Sequence, residues 1–171
     1  MPELPEVETV VQRLREQVSG LRITAVEARR CAAAGLAQRS VGRSIEDIVR
    51  RGKHILLHLS GGWTLHVHLR MTGHLFVVPD CHQAAPSSRV VIVLDGGSGI
   101  VYEDPRAFGR LEMRRTAELR GELDALLGDE PLAPEFTADR FLALARGVRQ
   151  PVKLFLMDQR RLAGLGNIYA A

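Results

Sequence analysis

The N-terminus carries the group in this sequence that is best suited to covalent chemistry. Pro2 follows the initiator methionine, and removal of Met1 would leave the proline nitrogen as a free secondary amine. Such an amine has a pKa near about 8, so a useful fraction is neutral at physiological pH and can attack an aldehyde carbon. The product is an iminium ion, which withdraws electrons from the neighbouring carbons. The sequence therefore indicates imine chemistry on an aldehyde or a masked aldehyde.

Two carboxylates lie beside this amine. Glu3 and Glu6 could supply acid or base catalysis to a reaction at Pro2. Acidic residues in a first helical turn also interact favourably with the positive end of the helix dipole, and that structural role is the more common one. The sequence alone leaves both roles open.

Lysine is rare in this chain, which has 21 arginines and only two lysines, Lys53 and Lys153. The formal net charge of +3 is unevenly distributed. The local net charge is −2 over residues 1–18, +6 over 19–115, −5 over 116–145 and +4 over 146–171. Two basic regions on either side of an acidic one permit a polyanionic partner without requiring it, because charged runs are commonly just solvated surface.

The histidines and cysteines give no complete metal site. His66 and His68 would share one strand face as a metal-binding pair could, but no third ligand is evident. We expect His54 and His58 to face solvent. Cys31 and Cys81 are far apart in a sequence without a Cys-x-x-Cys motif, so we expect buried free thiols, no disulfide framework and no metal site.

Hydrophobic periodicity predicts the elements that position these groups. Apolar residues at helical spacing predict an amphipathic helix from Pro5 to Gly20. Seven short β-rich runs follow, at Arg22–Val26, His54–Leu59, Trp63–Leu69, His74–Val78, Arg89–Leu94, Ile100–Tyr102 and Leu111–Arg114. The glycine-rich residues 96–99 predict a hairpin loop. An N-terminal helix followed by many short strands predicts an α+β protein with a β-sandwich or barrel.

Helical periodicity returns after residue 116. We predict a short helix at Glu122–Leu127, a helix capped by Thr137, a third helix over Val152–Asp158, and a glycine turn that leads into a helix start at Asn167. The predicted domains are a catalytic sandwich over residues 1–130 and the beginning of a helical module over 131–171. No apolar run reaches the roughly 18 residues that a membrane span needs, and we expect a cytoplasmic monomer.

Several segments together resemble the bacterial formamidopyrimidine-DNA glycosylase family. The resemblance extends over essentially the whole chain, and the joint pattern is specific. It rests on Met1-Pro2-Glu3-Leu4-Pro5-Glu6-Val7-Glu8-Thr9-Val10, Arg50-Arg51-Gly52-Lys53, His68-Leu69-Arg70-Met71-Thr72-Gly73, Asp104-Pro105-Arg106-Ala107-Phe108-Gly109-Arg110, Lys153 with Leu156-Met157-Asp158-Gln159, and Gly164-Leu165-Gly166-Asn167-Ile168-Tyr169-Ala170. The related endonuclease VIII branch is less similar at the N-terminus and around Phe108.

The resemblance implies an enzyme of base excision repair that removes 8-oxoguanine and ring-opened purines and then cleaves the abasic strand. Pro2 would attack C1′ of the damaged nucleotide and form a Schiff base that supports β- and δ-elimination. Glu3 would donate a proton to the sugar ring oxygen. Lys53 would belong to the same catalytic group at a phosphate-contacting position, and Glu6 would position or recognise the base.

The resemblance also implies double-stranded DNA with oxidised purines or abasic sites as the partner. Chemistry on a base requires flipping it out of the stack, which leaves a gap in the duplex. Met71 would fill that gap, Arg106 would contact the unpaired cytosine, and Phe108 would insert beside it. Further phosphate contacts would come from His68, Lys153 and Asn167.

The sequence departs from the family pattern in three ways. The family continues beyond the length of this chain with a zinc finger and a lesion-recognition loop, so the resemblance implies no cofactor within these 171 residues. A glutamate usually follows the Asn-Ile-Tyr-Ala motif, where this chain has Ala171, and glycine is common at Arg70.

Two alternatives stay open, a non-catalytic protein that binds DNA or abasic sites and a tautomerase that uses Pro2 as a base.

Overall fold

A computed structural model describes residues 1–28 and 35–171, so Cys31 lies outside the described residues. The described helices are α1 Leu4–Val18, α2 Leu36–Ser40, α3 Thr116–Leu126, α4 Ala138–Ala145 and α5 Val152–Met157. The described strands are β1 Ile23–Ala28, β2 Ile45–Arg51, β3 His54–Leu59, β4 Trp63–His68, β5 His74–Val78, β6 Val90–Leu94, β7 Gly99–Glu103 and β8 Arg110–Arg115. A short 3₁₀ turn lies at Cys81–Gln83, where Cys81 is a half-buried free thiol.

The strands form two antiparallel four-stranded sheets, ordered β1-β6-β7-β5 and β2-β3-β4-β8. One continuous apolar core takes side chains from both sheets and from α1, which confirms the predicted α+β sandwich. The connection from β4 to β5 and the connection from β7 to β8 both cross between the sheets. These two crossing loops contain the residues that the sequence predicts to enter the duplex.

All seven predicted strands are present, with ends within two residues of the predicted positions. An eighth, β2, was missed in the sequence. Ile45 and Ile48 of β2 are fully buried, but the register shifts between Ile45 and Asp47, so the apolar residues do not alternate as in a regular strand.

The first helix follows its predicted apolar stripe. Leu4, Val7, Val11, Leu14 and Val18 are buried, and the helix packs against β2. Pro5 lies in its first turn, where the missing N–H costs nothing because that donor has no partner within a helix. The packing fixes the N-terminus of the chain instead of leaving it free to fray.

The predicted helices are also present, with one large difference in length. Helix α3 begins at Thr116, six positions before its predicted start, because Leu119 and Leu123 pack together on Leu56 of β3. The side chain of Thr137 accepts the backbone N–H of Arg140, which confirms the predicted cap of α4. Residues 167–170 form a single turn, so the predicted helix start at Asn167 does not extend into a helix. Among the described helices, none is long and apolar enough to cross a bilayer.

Charged side chains attach the segment after α3 to the second sheet. The carboxylate of Glu130 accepts hydrogen bonds from Arg50 at 2.5 Å, from Arg51 at 3.1 Å and from the backbone N–H of Gly52. The neighbouring backbone of Asp129 exchanges hydrogen bonds with Arg161 and Ala163. These contacts bring residues 159–166 against the N-terminus of α1.

Candidate active site

The side chain of Glu3 is buried under the C-terminal turn of the chain. Its carboxylate accepts backbone N–H groups from Gly166 at 2.6 Å, Ile168 at 2.9 Å and Tyr169 at 3.4 Å. The residue is only 2% exposed, although it is charged and immediately follows Pro2. Three backbone donors compensate for the loss of hydration of a buried carboxylate.

Two positions of this turn, Gly164 and Gly166, require glycine. A Cβ on Gly166 would lie 2.5 Å from Oε1 of Glu3 and 2.6 Å from Nζ of Lys53, so both charged groups approach the same point on the backbone. Gly164 has a φ of +99° and accepts the backbone N–H of Leu4 through its carbonyl oxygen. Only glycine adopts that conformation without strain.

The side chain of Gln159 holds the same turn through two hydrogen bonds. Its Oε1 accepts the backbone N–H of Gly164 at 2.9 Å, and its Nε2 donates to the carbonyl of Leu165 at 2.6 Å. Gln159 belongs to one of the motifs that carry the family resemblance, but the sequence assigns it no role. The signal that could identify it is its short spacing of five residues from Gly164.

Lys53 is buried at the wall of a cavity of about 320 Å³. Other residues that line this cavity include Met1, His68 and Asn167. Burial lowers the pKa of Lys53, and the nearby Glu3 carboxylate opposes that shift. The cavity thus combines a partly desolvated ammonium group, an imidazole and an amide next to the N-terminus.

The histidines near this cavity form a network in which His66 is buried and His54 and His68 are half-buried. Nδ1 of His54 lies 2.7 Å from Nε2 of His66, and Nδ1 of His66 lies 3.2 Å from the Glu112 carboxylate. Because a carboxylate only accepts, His66 carries its proton on Nδ1, and a neutral His66 then accepts from His54. The prediction that His54 faces solvent was wrong, because the neighbouring strand β4 places His66 and His68 against its ring. His58 is also half-buried, with Nδ1 2.9 Å from Oγ1 of Thr64.

His68 stands at the end of this network beside the cavity. Its ring contacts the His54 ring edge-to-face at 4.6 Å between centroids, and its Nδ1 accepts the backbone N–H of Arg70. Burial lowers the pKa of His54 to about 3 and that of His68 to about 4, and neighbouring positive groups, including Arg70, add to both shifts. His68 is therefore neutral at neutral pH and carries its proton on Nε2 as a hydrogen-bond donor.

Glu6 is linked to the C-terminal turn by a second contact. It accepts the hydroxyl of Tyr169 at 2.7 Å and the backbone N–H of Glu3 at 2.9 Å. The Tyr169 hydrogen bond is the largest influence on the pKa of Glu6, which is lowered, while the pKa of Tyr169 is raised. Tyr169 is a second residue that the sequence motif contained without an assigned role.

Met71 and Phe108 protrude from the two crossing loops. They are 51% and 55% exposed, although large apolar side chains are normally buried. The guanidinium carbon of Arg106 lies 4.6 Å from the centre of the Phe108 ring, a cation–π contact. Arg70 and Ala107, which precede Met71 and Phe108, have φ values of +54° and +58°. A positive φ favours glycine at both positions, and glycine is the residue noted above as common at the position of Arg70.

The predicted site residues therefore fall into separate groups. Pro2, Glu3 and Glu6 lie at the start of α1, and the preceding Met1 lines the same cavity as Lys53, His68 and Asn167. Met71, Arg106 and Phe108 lie on the crossing loops. Lys153 is half-buried in the first turn of α5 and does not line the cavity. Within the part of the chain that the structure describes, one triplet of adjacent metal-ligating side chains occurs, Asp80, Cys81 and His82 on the 3₁₀ turn.

Two family models match this chain. The formamidopyrimidine-DNA glycosylase N-terminal domain matches residues 1–111, and the formamidopyrimidine-DNA glycosylase H2TH domain matches residues 127–171. Curated relatives with the name formamidopyrimidine-DNA glycosylase include a protein of Roseiflexus sp., 42% identical over 177 residues, and one of Xanthomonas campestris, 44% identical over 176 residues. The alignments cover 99% and 100% of this chain but 64% and 65% of those relatives. The chain thus spans slightly less than two thirds of their length.

Solved structures give the same result. The complex between Lactococcus lactis Fpg and DNA that contains an abasic site matches with a TM-score of 0.84 at 30% identity, over 98% of this chain and 64% of that one. The MutM (Fpg) protein from Thermus thermophilus matches with a TM-score of 0.80 at 38% identity, over 99% and 62% of the two chains. The similarity therefore includes both the sandwich and the helices after it.

Proposed function

The chain belongs to the formamidopyrimidine-DNA glycosylase family, and from that membership we propose that it removes oxidised purines from duplex DNA and cleaves the abasic strand through an imine at Pro2. The observation that carries the proposal is the position of Glu3. Its carboxylate, adjacent to Pro2 in sequence, is held by the glycine turn that also contacts Lys53. A tautomerase is not supported by this family membership.

The nucleophile in this proposal is the nitrogen of Pro2 after removal of Met1. Met1 lines the cavity, so its loss would leave the new amine at the cavity wall. The amine bonds to C1′ as the bond from C1′ to the damaged base breaks and the base takes up a proton. The sugar ring then opens, and the nitrogen becomes an iminium ion that acidifies C2′. Loss of the C2′ proton expels the 3′ phosphate, and a second elimination expels the 5′ phosphate.

Glu3 moves protons in this scheme. The carboxylate accepts the proton that the Pro2 ammonium group must lose before it attacks, and then delivers a proton to the ring oxygen as the C1′ to oxygen bond breaks. Its backbone donors hold it next to the amine, which removes the entropic cost of finding this geometry. Glu6, fixed by Tyr169, is left to orient the base.

The charged and polar groups around the cavity suit a phosphodiester. Lys53 supplies a compact positive charge, and neutral His68 supplies an Nε2–H donor. Asn167 adds an amide at the same wall, and we propose that Lys153 contacts phosphate farther along the strand. None of these steps needs a cofactor held by this chain.

We propose that the exposed apolar side chains of the crossing loops enter the DNA. Met71 and Phe108 would fill the gap that a flipped nucleotide leaves, with Arg106 on the unpaired base. The partner is therefore double-stranded DNA with an oxidised purine or an abasic site, and we propose that the protein acts as a monomer.

A second candidate function is binding to DNA or abasic sites without catalysis. It is compatible with the exposed Met71 and Phe108 side chains, which could enter a duplex without any reaction at Pro2. The two functions differ in whether a covalent intermediate forms.

Borohydride trapping with abasic DNA tests the proposal. Borohydride reduces an imine, so the chain without Met1 should form a stable protein–DNA adduct that is absent after acetylation of the N-terminus. Lys53→Ala should slow trapping without abolishing it. Binding without any adduct would establish the non-catalytic alternative, and an adduct that survives acetylation would show that Pro2 is not the nucleophile.

Glu3→Gln separates the two chemical steps. Base excision from an 8-oxoguanine duplex should fall much more than cleavage of a preformed abasic site, because departure of the base depends more on proton transfer. Equal losses in both reactions would contradict the role of Glu3 as the glycosylase acid.

A further inference from the structure

Asp104 connects the two crossing loops beneath the exposed side chains. It is 2% exposed, and its two carboxylate oxygens accept from different loops. Oδ1 accepts the hydroxyl of Thr72 at 2.6 Å, and Oδ2 accepts the backbone N–H of Gly109 at 2.7 Å and the hydroxyl of Tyr102 at 3.2 Å. Thr72 immediately follows Met71, and Gly109 immediately follows Phe108.

Each loop is folded tightly by its own backbone contacts. In the β4–β5 loop, the N–H of Gly73 donates to the carbonyl of Leu69 at 2.9 Å. In the β7–β8 loop, the N–H of Ala107 donates to the carbonyl of Asp104 at 3.1 Å. Among the hydrogen bonds of the described residues, the contact from Thr72 to Asp104 is the one that joins residues 69–73 to residues 104–109.

The charge state of Asp104 suits this role. Burial opposes its ionisation, but the hydrogen bonds from Thr72, Gly109 and Tyr102 outweigh burial and lower its pKa. A charged acceptor makes each of these bonds stronger than a bond between neutral groups. Gly109 is fixed as glycine, because a Cβ there would lie 2.1 Å from the Tyr102 hydroxyl and 3.0 Å from Oδ2 of Asp104.

We propose that Asp104 is a positioning residue. Its hydrogen bonds to Thr72 and Gly109, called the lock below, hold Met71, Arg106 and Phe108 as one rigid unit for insertion into the duplex. The inference rests on the proposed function, because it assigns the protruding side chains to a DNA gap. With the lock, the two loops enter the duplex already ordered. Without it, each loop keeps its own turn but moves independently of the other, so the two loops must be aligned with each other during binding, and that entropic cost weakens the complex.

Thr72→Val tests the lock, since it removes only the bond between the loops and keeps the shape of the side chain. Asp104→Asn is less suitable, because it perturbs both loops and the buried Tyr102 hydroxyl together. We expect Thr72→Val to weaken binding to a duplex with a reduced abasic site about fivefold to tenfold, less than the full effect of a charge-assisted hydrogen bond, because this bond is lost from the free and the bound protein alike. Binding to the same strand without its complement should not change. Thr24→Val is the matched control, because the Thr24 hydroxyl donates to the carbonyl of Val93 within the first sheet, away from both crossing loops.

A double-mutant cycle distinguishes positioning from general destabilisation. If Thr72 acts through the protruding side chains, Thr72→Val should have little further effect on duplex binding in a Met71→Ala or Phe108→Ala background. Additive effects, or an equal loss for single-stranded DNA, would overturn the proposal.

Backbone ¹⁵N relaxation of the free protein tests the lock without DNA. Thr72→Val should increase mobility both in residues 69–73 and in residues 104–109. Increased mobility in the first loop alone, or in neither, would overturn the inference. A wild-type protein with the expected relaxation but no preference for the damaged duplex would instead contradict the proposed function and leave the lock in place.

Discussion

The carboxylate of Glu3 and the backbone N–H of Gly166 form a 2.6 Å hydrogen bond that joins the first turn of the chain to a position 163 residues later. The bond places the catalytic carboxylate of the proposal under the C-terminal glycine turn. The β-sandwich alone therefore does not complete this site. The helical segment over residues 127–171 contributes the donors that hold Glu3.

Gly166→Ala should disrupt this contact. The added Cβ would lie 2.5 Å from Oε1 of Glu3, so the carboxylate or the turn must move. We expect a loss of stability of about 1–3 kcal/mol, typical of a buried polar group that loses a partner, and at least a tenfold slower formation of the borohydride adduct. Thermal unfolding and trapping rates provide the measurements.

Gly121→Ala is the matched control for that change. Gly121 lies in α3 with open space where its Cβ would be, and alanine is the better helix former. The control should be slightly more stable and trap at the wild-type rate. Equal behaviour of the two variants would show that the glycine turn does not hold Glu3.

The stability of the protein should fall as the pH is lowered from about 6.5 to about 4. The folded-state pKa values of His54 and His68 are about 3 and about 4, below the usual value for histidine, so the unfolded chain binds protons in this range more readily than the folded chain. The contribution of these two histidines to the free energy of unfolding is complete above the unfolded-state pKa. It decreases by on the order of a few kcal/mol as the pH approaches the folded-state pKa values. Urea unfolding at successive pH values measures this slope.

His54→Gln should make that slope shallower, because one of the histidines with a lowered pKa is removed. The titratable and charged groups that face His54 are His66, His68, Arg70 and Arg110, and each is retained in the variant. An unchanged slope between pH 6.5 and 4 would show that carboxylates elsewhere cause the loss of stability.

The sequence predicted most of the fold, because the core of this protein follows regular periodicity. The stripe of α1 and the seven predicted strands bury their apolar residues as expected, and Thr137 caps its helix. Strand β2 was missed because its bulge breaks the alternation. The start of α3 was missed because two buried leucines, Leu119 and Leu123, are too few to give a clear helical pattern.

The site was predicted less completely, because its supporting contacts join residues far apart in the chain. The family resemblance supplied Pro2, Glu3 and Lys53 as catalytic candidates, and these roles stay predictions. The contributions of Asp104 and Tyr169 depend on distant partners, Thr72 and Glu6, which no local pattern identifies. The partial burial of His54 was missed because its partners, His66 and His68, come from another strand, β4.

Tyr169→Phe should raise the pKa of Glu6. The hydroxyl of Tyr169 stabilises the charged carboxylate of Glu6, and phenylalanine removes only that donor. Carbon-detected NMR titration of the Glu6 carboxyl group measures the shift directly. The hydrogen bond from the backbone of Glu3 stays in the variant, so α1 should keep its first turn. A Glu6 pKa that does not change would show that the Tyr169 contact is not formed in solution.

Arg70→Gly should stabilise the protein, although it removes a side chain beside the proposed DNA site. Arg70 has a φ of +54°, in the left-handed region that costs residues with a Cβ about 1 kcal/mol and costs glycine little. We therefore expect an increase in unfolding free energy of up to about 1 kcal/mol, reduced by the greater entropy of glycine in the unfolded chain. Arg70→Ala separates backbone strain from charge, because it keeps the Cβ and removes the guanidinium group. Both variants should raise the pKa of His68 by removing a nearby positive charge, but only the glycine variant should gain stability in urea unfolding. Equal stability of the two variants would show that the backbone at this position is not strained.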